Sequence, residues 1–211
     1  MTLIRRLLPT VVFAAVLTLP AGVALGQDDV AESAAPEATV AADDPRLTEL
    51  EALVPPALAG LPLTENLQVA TGEQMVGVME PEEAAVLGDL LEANGKTTAD
   101  YAAAATYIPV TDAQVVVIQA HRITGVPAAE TIDAWVEILS MNLADPQVSE
   151  GFIGGRAVTL MSDGDNPEAP LLHMFPAADV VWMMWTDDEA LVGAAMDEVD
   201  ADEPDEAEAS E

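Results

Sequence analysis

Apolar residues recur at three- and four-residue spacing in several stretches of the chain, and this pattern predicts helices with one buried side. The clearest stretch is residues 127–143, which Asp145 and Pro146 end. Shorter or less regular helices are predicted at residues 44–54, 81–94, 97–106 and 187–199.

Runs rich in β-branched and aromatic residues predict the strands. Residues 114–123 read QVVVIQAHRI, and three further strands are predicted at residues 156–161, 171–175 and 180–185. Two short strands are predicted at residues 67–71 and 75–79. Short strands in close succession, with helices grouped apart from them, favour an α+β fold. We therefore expect one mainly antiparallel sheet of about four to five strands, with helices packed on one of its faces.

The apolar run VVWMMW at residues 180–185 is followed directly by Thr186 and three acidic residues. Thr186 and Glu189 have the spacing of a capping box, in which each side chain hydrogen-bonds the other residue's backbone N–H. Asp187 and Asp188 would lie in the first helical turn, where the helix dipole favours negative charge. We therefore interpret the acidic triplet as a helix start rather than a metal site.

Residues 1–26 have the order of a secretory signal peptide. A basic pair precedes an apolar run at residues 7–19, and small residues allow cleavage after Gly26. An uncleaved anchor is the alternative, because residues 7–25 carry no charge and nearly reach the ~20 residues of a spanning helix. Both interpretations place the rest of the chain outside the cytoplasmic membrane, either secreted or in the cell envelope.

Three segments follow the leader. Residues 27–45 consist mainly of alanine, acids and proline, which predicts a disordered linker. Residues 46–199 are long enough to bury the core of one globular domain. Residues 200–211 read DADEPDEAEASE, which predicts a disordered acidic tail.

Acidic residues dominate the charge of the chain. All 38 Asp and Glu follow Gly26, whereas two of the six basic residues precede it, so the cleaved chain carries 4 − 38 = −34. A field of this sign repels nucleic acid and anionic lipid, which argues against both as partners. We interpret the acidity as a solvated surface suited to a salty exterior, where screening weakens self-repulsion. Membrane contact is expected only through an uncleaved signal segment.

Sequence motifs of common enzymes are missing. The chain has no cysteine, and its two histidines are His121 and His173. It contains no G-x-S-x-G, no H-E-x-x-H and no Walker-type glycine loop. The absence of cysteine rules out disulfides, thiolate metal sites and cysteine nucleophiles. We therefore expect no enzymatic activity and no required cofactor.

The loop SDGDNPE, between two predicted strands, is the best metal candidate. Oxygen donors of the type that Ca²⁺ prefers are close together in it; these are Asp163, Asp165, Asn166 and Glu168. The loop differs from a twelve-residue calcium loop because its glycine comes too early and no acidic residue closes it. The same residue types favour an ordinary hairpin turn, which we consider the better interpretation.

Strand alternation suggests one candidate surface, because successive side chains of a strand point to opposite faces of the sheet. If the more apolar set of each strand faces the helices, the second face carries Gln119, His121, Thr159, His173 and Phe175. The run VVWMMW adds either Trp182 or Trp185 to that face. Monomers seldom leave such a patch bare, so we expect an apolar small ligand, a partner protein or a second copy to cover it. A half-solvated face and a covering layer from the chain itself are the alternatives.

Together these patterns predict an exported, non-catalytic binding or interaction module whose ligand the sequence does not specify. A structural envelope protein stabilised by calcium or salt is the first alternative. A hydrolase of unfamiliar type that uses Asp, Glu or His is the second.

Overall fold

A seven-stranded antiparallel sheet forms the centre of the protein in the computed structural model, which describes residues 45–58, 61–63, 66–111 and 114–201. Its strands are β3 Gln68–Thr71, β4 Tyr101–Thr111, β5 Gln114–Ile123, β6 Pro146–Ile153, β7 Arg156–Asp163, β8 Leu172–Ala177 and β9 Val180–Trp185. Their order across the sheet is β3-β4-β5-β9-β8-β7-β6. A separate pair is formed by β1 Ala57–Leu58 and β2 Leu61–Pro62. The predicted leader, residues 1–26, lies outside the described residues, as do most of the linker and most of the acidic tail.

Helices cover both faces of this sheet. The helices α1 Pro45–Leu53 and α5 Glu189–Ala201 pack on one face, here called the α1/α5 face. The other face, here called the α3/α4 face, is covered by α2 Gly72–Val76, α3 Pro81–Ala93 and α4 Ile132–Ser140. The predicted α+β fold with an antiparallel sheet is confirmed, but the prediction that helices pack on one face is wrong. None of the helices in the described residues is both long enough and apolar enough to cross a membrane.

The composition of β9 explains the second helical layer. Its six residues, VVWMMW, are all buried. Because side chains alternate along a strand, Trp182 and Met184 face α1 and α5 while Met183 and Trp185 face the opposite layer. Burying a large apolar side chain contributes roughly 1.5–3 kcal/mol, so leaving either set in water would be costly. A strand that is apolar on both sides therefore requires helices on both sides.

Two strands that the sequence pattern did not predict raise the count from the expected four or five to seven. β4 contains the run AAAA, which favours a helix in isolation. In the sheet these alanines lie between β3 and β5, and Ala102, Ala103 and Ala104 are at most 5% exposed. Pairing on both sides thus overrides the local helix preference. The second unpredicted strand, β6, pairs only with β7 among the described residues, and most of its side chains are exposed.

The predicted strand at residues 75–79 is wrong, because the chain forms the short helix α2 there. Thr71 caps this helix by accepting the Gln74 N–H, and the Gln74 side chain accepts the Thr71 N–H in return. Gly72 starts the helix in close contact with the following segment, since a Cβ at this position would collide with the Thr98 carbonyl oxygen. This close approach restricts the position to glycine.

The helix α5 starts later than the predicted capping box implies. Its first helical residue is Glu189, and the Asp188 carboxylate accepts the backbone N–H groups of Ala190 and Leu191 at 3.0 and 3.2 Å. Asp188 is therefore the capping residue. Thr186, which the sequence pattern assigned to the cap, instead accepts the Asp188 N–H at 3.1 Å.

Candidate functional site

The five residues predicted to share one sheet face are divided between the two faces, as are the two tryptophans of which one was expected there. Residues opposite each other in neighbouring strands have side chains on the same face. His173 lies opposite Met184, and Phe175 lies opposite Trp182, which places all four on the α1/α5 face. The α3/α4 face carries Gln119, His121, Thr159 and Trp185. Alternation within one strand does not reveal this division, because it depends on the register between strands.

Six of these seven side chains are buried, and Thr159 is half-buried. Trp182 and Trp185 are 4% and 8% exposed, and the side chains of Gln119, His121 and His173 are also buried. The layers above them consist of this chain's own helices. In this conformation the helices cover the six buried side chains.

A buried polar network lies on the α3/α4 face. The Tyr101 hydroxyl is 2.8 Å from Nδ1 of His121, and Nε2 of His121 is 3.1 Å from the Gln119 side-chain oxygen. Because an amide oxygen only accepts, His121 donates from Nε2 and accepts the Tyr101 proton at Nδ1. The ring of Trp135 packs against His121, with a centroid distance of 4.3 Å. Each nitrogen of the imidazole therefore has one partner.

This network favours uncharged side chains. Burial lowers the pKa of His121 from 6.5 to about 3 and raises the pKa of the Tyr101 hydroxyl. The neutral form of His121 is also the form that accepts a hydrogen bond from the Tyr101 hydroxyl while donating one to Gln119. The hydrogen bonds of the network join β4 to β5, and Trp135 of α4 packs against Tyr101 and His121.

His173 is buried on the opposite face without comparable partners. It is 1% exposed, and neither ring nitrogen makes a hydrogen bond of good geometry with the described residues. Burial lowers its pKa, while backbone groups of Met184 and Leu171 and the carboxylates of Glu189 and Asp187 oppose that shift. The neutral ring is therefore a packing residue beneath the start of α5.

The four predicted calcium ligands lie in a hydrogen-bonded turn after β7. The Asp163 carboxylate accepts the backbone N–H groups of Asp145 and Asp165, each at 3.1 Å. The Asn166 N–H donates to the Asp163 carbonyl, and Glu168 follows within the same turn. Within the described ranges, no group of three or more His, Asp or Glu side chains is arranged to hold a metal ion.

A small cavity lies between the end of α4 and the strands β7 and β8. Leu139, Met161 and Trp185 line it, with Asp163 at its polar side. Its volume of about 30 Å³ is room for one or two water molecules, which is too little for an organic ligand. The cavity is therefore a packing defect next to Trp185.

The outer strand β6 is exposed along most of its length. Phe152 is 76% exposed and Val148 is 48% exposed. Val148 lies opposite Met161 and Phe152 opposite Ala157 in β7, so both side chains point to the α3/α4 side of the sheet. Glu150 lies between them on the same side and is also exposed. The result is an exposed strip of apolar, acidic and apolar side chains, here called the β6 strip (Val148, Glu150 and Phe152).

The backbone of the β6 strip points away from the sheet. β6 and β7 are joined by Gly154 and Gly155, whose positive φ angles of 59° and 83° are those of a two-residue type I′ turn. In such hairpins the flanking pair, Ile153 and Arg156, exchanges hydrogen bonds, and bonded and non-bonded pairs alternate from there. The N–H and C=O groups directed away from β7 are therefore those of Val148, Glu150 and Phe152.

The other edge of the sheet is better protected. β3 has four residues, all of them buried or half-buried. The helices α1 and α2 contact it. β6 is twice as long, and α5 contacts it on the α1/α5 face, where Gly193 lies against Ile153. Val148, Glu150 and Phe152 lie on the opposite side and are exposed. The two edges therefore differ in what they offer to another chain.

No family model matches this sequence, and no curated protein and no solved structure is significantly similar to it. The candidate surface is therefore defined by this structure alone.

The sequence contained a weak signal for the β6 strip. In PQVSEGFI, Val148, Glu150 and Phe152 occupy alternate positions. A period of two is seen only if the acidic Glu150 is counted together with the two apolar residues. Two glycines follow, which is a hairpin turn signal. Asp145 and Pro146 predict only the end of the preceding helix, and the sequence pattern assigns no strand to residues 146–153.

Proposed function

We propose that this protein is an exported, non-catalytic interaction module that adds an extended segment of a partner to its sheet along β6. The observation that carries the proposal is that the same three residues, those of the β6 strip, present both outward backbone groups and exposed side chains. In strand addition, main-chain hydrogen bonds supply affinity and alternate side chains supply specificity.

The exposure of Phe152 and Val148 supports a binding role for this edge. Proteins normally protect a long edge strand with charge, proline, a bulge or a covering element. β6 has Pro146 at its start and Glu150 in its middle, but the aromatic ring of Phe152, near its C-terminal end, is exposed. Phe152 is the most exposed large apolar side chain in the described residues, and an aromatic ring on an unpaired edge favours contact with another chain.

The non-catalytic part of the proposal is supported by the positions of the ionisable groups that catalysis most often uses. Both histidines are buried, and burial holds the pKa of each below its ordinary value. The small cavity beside Trp185 is lined by neither histidine and is too small for a substrate. Export is also part of the proposal and rests on the leader pattern of residues 1–26.

Backbone amide exchange, followed by NMR on isotope-labelled protein, tests the proposal directly. The probes are three end-blocked heptapeptides, Thr-Val-Thr-Zaa-Thr-Val-Thr, in which Zaa is Lys, Gln or Glu. A bound strand should protect the N–H groups of Val148, Glu150 and Phe152, which point outward. The N–H groups of Ser149 and Gly151 already bond to β7 and should change little.

Two proline variants provide matched controls. Glu150→Pro removes an outward N–H and places a ring where the partner would pair, but it leaves the hydrogen bonds to β7 intact. Ser149→Pro removes a bond to β7 and should lower stability instead. Peptide binding should be lost in Glu150→Pro while the denaturation midpoint stays close to that of the native chain. Protection by no peptide of the panel, or undiminished binding by Glu150→Pro, would overturn the proposed function.

A further inference from the structure

The chemistry of the β6 strip restricts what can bind there. Phe152 and Val148 are apolar and exposed, and Glu150 lies between them on the same side of the strand. A strand added along β6 would place its own alternate side chains directly opposite these three, at Cβ separations of about 4.5–5.5 Å. Apolar groups on the added strand fit the two outer positions. The central position requires a group that can lie beside a carboxylate.

A second copy of the chain fits this edge poorly. Two antiparallel β6 strands bring Val148 of each copy opposite Phe152 of the other only in the register centred on Glu150. That register sets two Glu150 carboxylates directly opposite each other, and like charges in this position are destabilising. The adjacent registers place Glu150 opposite Phe152 or Val148, where its charge faces an apolar group. The net charge of −32 adds long-range repulsion between copies.

A basic partner satisfies the same three positions. A lysine or arginine opposite Glu150 forms a cross-strand ion pair, and its alkyl stem covers the neighbouring apolar side chains. The acidic field of the whole chain also attracts a basic segment and raises its rate of association. Both the local and the overall charge thus favour the same class of partner.

We infer that β6 binds an extended segment in which a lysine or arginine lies between two apolar residues at alternate positions. This inference rests on the proposed function, because it assigns a partner chemistry to the same edge. The two apolar residues lie opposite Val148 and Phe152, and the basic residue lies opposite Glu150. In such a segment the basic residue is two positions away from each apolar residue, and the backbone is extended.

Charge reversal at position 150 tests the assignment. With the native chain, the Lys peptide of the panel should bind about 3- to 30-fold more tightly than the Glu peptide at low ionic strength. Glu150→Lys should reverse this order, and Glu150→Gln should leave a smaller preference for the Lys peptide than the native chain has, because the other acidic residues still attract it. Raising the salt concentration to about 0.5 M should shrink the native preference, because screening weakens exposed ion pairs.

The outcomes separate the two proposals. If peptides protect the Val148, Glu150 and Phe152 amides but the order of affinities is the same in the native chain and in Glu150→Lys, strand addition stands and the basic partner is refuted. If no peptide protects these amides, both proposals fail. Sedimentation of the native chain provides a further check, since a stable dimer that Glu150→Pro dissociates would identify a second copy as the occupant.

Discussion

β9 and β6 are strands of one sheet with opposite surroundings. β9 is the central strand in the order of seven, and all six of its residues are buried. β6 is a terminal strand, and its first five residues are exposed together with Phe152. The difference shows that the helices pack over the strand whose side chains are apolar on both faces. Where the layers end, the sheet offers its edge and a few apolar side chains to other molecules.

Truncating one aromatic ring in each strand should give the largest contrast. Trp182→Ala removes a ring that is 4% exposed and leaves a cavity beneath α1 and α5, which should lower the free energy of unfolding by about 3–5 kcal/mol. Phe152→Ala removes a ring that is 76% exposed and should change it by less than about 0.5 kcal/mol. Denaturant titration measures both values. Similar losses for the two variants would mean that β6 is covered in the free protein.

Acid should lower the free energy of unfolding through His121, which is buried on the α3/α4 face. The folded state keeps this ring neutral down to about pH 3, whereas the unfolded chain binds the proton near pH 6.5. Unfolding therefore takes up a proton, so this contribution to stability is complete above pH 6.5 and decreases as the pH falls towards 3. The full effect is on the order of a few kcal/mol.

The His121→Gln variant isolates this contribution, because glutamine does not titrate. The stability of the native chain should fall more steeply between pH 6.5 and 3 than that of the variant, measured by denaturant titration at each pH. Carboxylates titrate in both proteins and cancel in the comparison. Parallel curves would contradict the assignment of a neutral, buried His121.

The stability of α5, one of the two helices on the α1/α5 face, should depend on its N-terminal cap. Asp188→Ala removes the acceptor for the Ala190 and Leu191 N–H groups and should cost about 0.5–2 kcal/mol. Asp188→Asn is the matched control, because asparagine caps helices nearly as well as aspartate. Thermal unfolding should separate the two variants. Equal losses would show that charge, and not the cap acceptor, holds the start of α5.

Substitutions in the turn before β9 and in the turn after β6 should change the stability of the protein in opposite directions. Ala178, between β8 and β9, has a φ of 49°, which is unfavourable for a residue with a Cβ. Ala178→Gly should therefore raise stability by about 0.5–1 kcal/mol. Gly154, in the turn between β6 and β7, has a φ of 59°, and Gly154→Ala should lower stability by about 1 kcal/mol. Loss of stability in Ala178→Gly would contradict the strain assigned to that turn.

The strands with strong local patterns could be predicted from the sequence. The runs QVVVIQAHRI and VVWMMW coincide with β5 and β9 at both ends, because β-branched and aromatic residues favour strands wherever they lie. The helix α3 likewise begins at the predicted Pro81 and ends before Asn94 and Gly95. β4 could not be predicted in this way, since its alanines form a strand only when β3 and β5 pair with it.

The candidate site was less accessible to sequence analysis. The division of His121 and His173 between opposite faces follows from the register of β5, β8 and β9, which no single strand encodes. The β6 strip was missed because its pattern of one acid between two apolar residues resembles a loop in an acidic chain. Exposure of Phe152 is a property of its position at the sheet edge and not of its residue type.

Residue types and their local spacing already specify the strand and helix segments with strong periodicity, the acidic charge and the need to bury VVWMMW on both sides. These properties depend on residue type and on spacing within one segment, which local physical chemistry controls. Tertiary structure alone decided which strands lie at the edges, which faces the histidines occupy and where an aromatic ring stays in water. Those outcomes depend on pairing between segments distant in the chain, because register and neighbour order are set only when the strands meet.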